Sequence, residues 1–193
     1  MRDPQRDRPG RRRRRARAAV TGLALVAGLG LGGTAIAGGD PEQSRVARDA
    51  HAEPAAPGTP CSVSVQACVD LETGEAWLVS DGEVARGPVT VTTGGAGEET
   101  PVGHSFRVYR KEIDHRSGEF DGPDGQPARM PYSVFFADGG IAFHGGDLTR
   151  ESAGCVKLGH EDAEAFFAAL EIGDKVQVVH GSVEREHRTQ ARG

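Results

Sequence analysis

Short strand-like runs, some alternating apolar and polar residues and most stopped by a turn, fill the chain between residues 61 and 183. "VQACVDL" ends in the turn "ETGE". "AWLVS" ends in "DGE", a hairpin signal, and "VARGPVTVTT" alternates until it meets "GGAG". "SFRVYRK" alternates again, with Phe106 and Val108 on one side. "YSVFFA" and "GIAFHG" flank the tight turn "DGG", and "KVQVV" is a last strand. A period of two between such turns specifies strands with one buried face. Only "HEDAEAFFAALEIG" has helical spacing. Its acids stand in the first turn, Ala163, Phe166, Phe167 and Leu170 make one apolar stripe, and Gly173 is the expected stop. The pattern therefore predicts a mostly β domain, sandwich or barrel-like, with one main packed helix. Pro88 falls inside a strand pattern, which places it at an edge or a bulge.

The flanks read differently. Residues 1–37 hold nine of the 23 basic residues and two of the 28 acidic ones, leaving 14 basic against 26 acidic residues on the rest of the 193-residue chain. A domain so acidic excludes a nucleic-acid partner that needs a positive surface. "RRRRRAR" is followed by an uncharged apolar run and by Ala35-x-Ala37. That is the layout of a signal peptide cut after Ala37, or of an N-terminal membrane anchor over residues 18–37. Glycines at 22, 28, 30, 32 and 33 make the run a poor helix. The chain is thus expected on the outer side of the membrane, secreted or anchored. The pattern does not separate the two export routes, although an Arg-Arg pair is present. Residues 38–60, with four prolines and no hydrophobic periodicity, read as a flexible linker, and "EREHRTQARG" (184–193) as a polar tail.

Export gives the cysteines a meaning. Disulfides persist outside the cytoplasm, and Cys61 and Cys68, seven positions apart, are close enough to bridge. Cys155 is then left over: an intermolecular link, a buried structural thiol or a reactive one. Its surroundings favour chemistry. His144 closes the strand "GIAFH", Gly145 and Gly146 allow a sharp turn, and the chain returns through Ser152 and Gly154 to Cys155. Such a path brings an imidazole to a thiol. It also exposes backbone amides at Gly154 and Cys155 to a developing oxyanion. A zinc site gathering His104, His115, His144, Cys155 and His160 is disfavoured, because no pair of them has compact ligand spacing. His51, His160, His180 and His187 read as surface or tail residues.

The stretch "HGG…SAGCVKL" resembles the active-site signature of the L,D-transpeptidase (YkuD-type) family: a histidine, a variable loop, then Ser/Thr-x-Gly-Cys. "ETPVG" resembles the family's Thr-Pro-x-Gly turn, and "MPYSVFF" with "GIAFHG" resembles the strands that lead into its site. The likeness covers about residues 61–180. It implies that 61–183 is the catalytic domain, Cys155 the nucleophile and His144 its base. It further implies that the Gly145 carbonyl orients the ring, that Ser152 and Gly154 support the site, and that Tyr132, Met130 and Lys157 meet the substrate. The implied reaction is acyl transfer on a peptidoglycan stem tetrapeptide, with D-alanine released and a 3→3 cross-link formed. No cofactor, metal or obligate protein partner is implied. With water as acceptor the enzyme would be an L,D-carboxypeptidase; without chemistry, a wall-binding domain of the same fold. Three positions depart from the family pattern. Ala153 stands where a histidine is common, Lys157 where arginine or asparagine is, and "GHSF" carries one extra residue, which predicts a bulge there.

Overall fold

The computed structural model describes residues 41–122 and 124–192. The export segment expected over residues 1–37 lies outside them. A helix, α1 (Pro41–Ala52), comes first. The strands β1 (Ala67–Asp70), β2 (Glu75–Ser80) and β3 (Glu83–Thr92) follow. Next come β4 (Gly103–Arg107), β5 (Arg110–Asp121), β6 (Pro127–Ala137), β7 (Ile141–Gly145) and β8 (Val156–Leu158). Helix α2 (His160–Ala169), strand β9 (Lys175–Val179) and helix α3 (Gly181–Ala191) complete the described chain.

All nine strands join one sheet in the order β4-β9-β1-β2-β3-β8-β7-β6-β5. Its two end strands, β4 and β5, are consecutive in the chain and separated only by Val108 and Tyr109. Val108 N–H donates to Asp174 O on one side, and Tyr109 N–H to Phe135 O on the other, each at 2.9 Å. Two residues cannot cross a flat nine-stranded sheet, since strands lie about 4.8 Å apart. The sheet is therefore curled into a half-barrel, the barrel-like form of the mostly β expectation. The run "SFRVYRK", expected as one strand, is split at this corner.

The turns follow their residues. Asp81 (φ 54°) and Gly82 (φ 80°) close the β2–β3 hairpin in the left-handed conformation that an Asp-Gly pair supplies. Pro88 sits at a bulge rather than an edge: β3 lies between β2 and β8, and its register against β2 shifts between Ala76 and Leu78. A second register shift lies between Gly103 and Phe106, where "GHSF" carries its extra residue.

The core has two layers. Inside the curl, Phe136, Phe143 and Phe166 stack at ring separations of 4.8 and 5.2 Å, with Val134, Val156, Leu158, Val176 and Val178 around them. Ala163, Phe166 and Leu170 of the apolar stripe are buried there and Phe167 packs partly against them, so α2 closes the inside. Helix α2 ends at Ala169, short of Gly173, because Leu170 already turns extended (φ −83°, ψ 135°). On the opposite face Cys68, Trp77, Val79 and Val179 pack under Ala56, Cys61 and Val65. β1 is therefore buried on both faces, which is why it shows no alternation.

The second layer depends on segments expected to be loose. Residues 38–60 are not a flexible linker in their described part, and the described part of 184–193 is not a frayed tail. α1 packs on α3, and the connection after α1 is tied down from α3. Arg188 donates to Glu53 O (2.8 Å), Pro60 O (3.2 Å) and Ser62 Oγ (3.0 Å). Arg188 also pairs with buried Glu184 at 2.8 Å. The start of α3 meets two carboxylates: Gly181 N–H donates to Asp70 Oδ1 at 2.9 Å and Ser182 N–H to Glu72 Oε2 at 2.8 Å. The described residues thus form three α-helices where one main helix was expected. Cys61 and Cys68 are bridged, which fixes this connection to β1.

Candidate active site

β7 and β8 run side by side and parallel, pairing His144 with Lys157 and Phe143 with Val156. The parallel pairing requires the chain to leave β7, loop out and return before β8, so the loop 146–155 carries the segment between His144 and Cys155. Both residues line one cleft of about 820 Å³.

His144 is 7% exposed, and its Nδ1 lies 2.9 Å from the Gly145 carbonyl. A carbonyl only accepts, so Nδ1 carries the hydrogen and the lone pair is left on Nε2. Burial pushes the imidazole below its ordinary value of 6.5, against the Gly145 bond, which raises it. Burial also pushes the Cys155 thiol above 9.0, opposed by a backbone hydrogen bond from Ala142 and by the charge of Lys157. At rest the cleft therefore holds a thiol and a neutral imidazole. The hydrogen-bond acceptor of the thiol is the Gly140 carbonyl, at 3.8 Å, rather than the imidazole.

The approach to Cys155 is held by three sets of bonds. Ser152 Oγ donates to the Cys155 carbonyl at 2.5 Å. Ser152 N–H donates to Thr93 O at 3.0 Å, and Gly95 N–H to Ser152 O at 3.1 Å. Thr100 Oγ1 donates to the Gly154 carbonyl at 2.9 Å while accepting from Gly94 N–H at the same distance. Gly154 has φ +96°, and a Cβ there would stand 2.7 Å from Ile141 Cδ1, so the position requires glycine.

Two residues expected to meet substrate are placed otherwise. Tyr132 has φ 57°, and this left-handed residue interrupts the alternation of β6. Its ring packs on His160 (5.2 Å) and Phe167 (5.9 Å) of α2, whereas Met130 lines the cleft. Lys157 reaches the cleft, but its Nζ donates to the carbonyls of Asp147 (3.2 Å), Glu151 (3.2 Å) and Arg150. Three carbonyls take all three ammonium protons. Lys157 thereby pins the loop between His144 and Cys155 instead of presenting a free cation.

The cleft also uses residues to which the sequence reading gave no place in it. The β5–β6 hairpin contributes His115, Phe120 and Arg129, and the loop contributes Arg150. The available signal was "DGPDGQ", a turn between two long runs. For Thr100 the signal was the Thr-Pro-x-Gly turn itself. Of the histidines weighed for zinc, His115 bonds Glu112 (2.6 Å) at the cleft, His160 meets Tyr132, and His104 lies outside the cleft with Glu184. Among the described residues, the ligand atoms of these histidines do not gather with Cys155 into a metal-sized cluster.

Residues 64–178, which contain every element from β1 to most of β9, match the YkuD family, the L,D-transpeptidase catalytic domain. The chain belongs to this family. A curated relative, probable L,D-transpeptidase 3 of Mycobacterium tuberculosis, is 36% identical over 92 residues, covering 41% of this chain and 34% of that protein. Among solved structures, an L,D-transpeptidase from Stackebrandtia nassauensis aligns with TM-score 0.52 and 31% identity, covering 58% of this chain and 54% of that one. L,D-transpeptidase 3 from Mycobacterium tuberculosis, solved with a faropenem-derived adduct, aligns with TM-score 0.51 and 26% identity over 60% of each chain. The chain thus spans about a third of the length of its curated relative and little more than half of these structures.

Proposed function

We propose that the protein is a peptidoglycan L,D-transpeptidase with Cys155 as nucleophile and His144 as base. The observation that carries this reading is the tautomer of His144: with Nδ1 donating to Gly145 O, Nε2 is left as an acceptor in the cleft that holds the thiol. In the first step the thiol exchanges its contact with Gly140 for one with Nε2. Sγ attacks the carbonyl carbon between the third and fourth residues of a stem tetrapeptide, and the thiol proton passes to Nε2. Backbone amides at Gly154 and Cys155 face the oxyanion. The imidazolium returns the proton to the departing amine, D-alanine leaves, and a thioester remains on Cys155. A side-chain amine of a second stem then attacks the thioester, giving its proton to Nε2, and the thiol is regenerated as the 3→3 amide forms. Arg129 and Arg150 line the cleft among acids such as Asp147 and Glu151, and are the guanidinium groups there that can meet the carboxylates of stem peptides.

The enzyme acts outside the cytoplasmic membrane, secreted after cleavage near Ala37 or held by residues 18–37. The Cys61–Cys68 bridge supports this, because such bonds are rare where thiols are kept reduced. Finding the chain in the cytoplasmic fraction would contradict it.

The test is acylation. The full chain in detergent, incubated with a carbapenem, is expected to gain the mass of one adduct, and the Cys155→Ala chain none; the faropenem-derived adduct of the Mycobacterium relative supports the choice of a β-lactam as probe. No adduct on the wild type, or an equal adduct on the variant, overturns the nucleophile. With disaccharide-tetrapeptide as substrate, a 3→3 dimer is the expected product. Tripeptide alone would assign a carboxypeptidase instead.

A further inference from the structure

We propose that His51 on α1, His104 on β4 and Glu184 on α3 form a binding site for a divalent first-row transition-metal ion, with Zn²⁺ as the probe. One ligand atom from each lies within 4.8 Å of the other two. His51 Nε2 stands 3.1 Å and His104 Nε2 2.8 Å from the same oxygen, Glu184 Oε2. Around one tetrahedral ion with bonds near 2.0–2.1 Å, neighbouring donors stand about 3.3 Å apart. Each imidazole nitrogen is thus within about half an ångström of that spacing from the carboxylate oxygen, and all three donors lie within reach of one ion.

The surroundings suit a ligand set. Arg188 Nη2 lies 2.8 Å from Glu184 Oε1 and holds the carboxylate by the oxygen that does not face the imidazoles. Such a partner behind a ligating carboxylate fixes its orientation. A fourth donor is at hand: His187 follows Glu184 by three positions on α3, so both lie on one side of the helix, and its ring centroid is 4.9 Å from that of His51. Two or three imidazoles with one carboxylate select zinc-like ions over calcium or magnesium, which prefer oxygen cages. Glu184 is 3% exposed and His51 9%, while His187 is exposed and marks the side of entry. On binding, each imidazole moves its proton from Nε2 to Nδ1. The ion replaces two N–H···O bonds without net proton release. None of these residues lines the transpeptidase cleft. The ion would join three elements that are far apart in the chain, so its binding energy becomes folding energy.

The experiment titrates Zn²⁺ into the full Cys155→Ala chain, stripped with a chelator in detergent, so that no catalytic thiol competes. One ion per chain is expected. At a hundredfold excess over Kd the melting temperature should rise by about 5–10 °C. His104→Ala and Glu184→Gln should each weaken binding by about 100-fold or more. Co²⁺ gives a readout independent of stability: visible bands of a tetrahedral site are expected, and His51→Gln should shift them. No binding to the Cys155→Ala chain overturns the proposal and leaves the cluster a hydrogen-bonded clasp. Binding that survives both His104→Ala and Glu184→Gln unchanged places the ion elsewhere and also overturns it.

Discussion

Thr100 donates its hydroxyl to the carbonyl of Gly154 at 2.9 Å, a contact between residues 54 positions apart. The same oxygen accepts from Gly94 N–H, so one side chain joins the loop after β3 to the residue before Cys155. Gly154 is held at φ +96° with its carbonyl fixed, which aims the following amide. Thr100→Val keeps the shape and removes both bonds, leaving a carbonyl and an amide without partners. Urea unfolding should show a loss of about 1–3 kcal/mol, and the rate of carbapenem acylation should fall about tenfold if the amide aims the oxyanion. A variant that loses stability and keeps the wild-type rate would confine Thr100 to a structural role.

Acylation should depend on pH through His144. Its burial holds the imidazole below 6.5, and the base works only when neutral. The rate should therefore climb from acid pH, reach half its plateau below 6.5, and stay level through neutrality, since the thiol titrates above 9.0. His144→Ala should lower the plateau by about 10²–10⁴-fold with the far-ultraviolet dichroism unchanged. An inflection above 6.5 would mean that a different group is titrating. Stability carries the same sign: the unfolded imidazole takes up a proton near 6.5 that the native one refuses. The contribution of His144 is present above that value and is lost as pH falls through the lower native one.

Lys157 tests the loop. Lys157→Met removes the three bonds to Asp147, Arg150 and Glu151 carbonyls. The loop that carries Ser152 and Cys155 away from His144 is then free to shift, and a displacement near 1 Å can reduce a rate by about 100-fold. Stopped-flow acylation should show the fall in the chemical step rather than in carbapenem binding. Lys157→Arg should recover it only in part, because a planar fork does not match three converging carbonyls. An effect on binding alone would return Lys157 to substrate recognition.

Thiol counting on the unreduced chain should find one reactive group, Cys155, and three would contradict the bridge. Cys61→Ala with Cys68→Ala opens a loop of eight residues, for which chain entropy gives about 2–3 kcal/mol. The loss is expected in thermal melting, and the loosened part is the second core layer around Trp77 rather than the cleft.

Much of the fold was legible because strands and their turns are local. Alternation marked β3, short apolar runs ending at turns marked β2 and β7, Asp-Gly closed the β2–β3 hairpin, and Ala163, Phe166 and Leu170 marked the buried stripe of α2. That Cys155 and His144 share a cleft was legible because a glycine-flanked thiol close behind a strand-end histidine is a short-range pattern. The direction of Tyr132 was not, since one left-handed residue reverses what alternation implies. Nor was the use of Lys157, which depends on where the loop carbonyls fall.

The ends of the described chain show the limit most plainly. By itself the sequence determined a mostly β domain with a thiol and an imidazole at one place. Only the tertiary structure decided that residues 41–52 and 181–191 are helices of that domain. Neither has an apolar face broad enough to announce its burial. What holds them is polar: His51 meets Glu184 across 133 positions, and Arg188 reaches Pro60 across 128. Apolar periodicity reports a surface that each segment would bury against any core. A buried carboxylate is tolerable only beside its partners, and those partners come together only when the whole chain has folded.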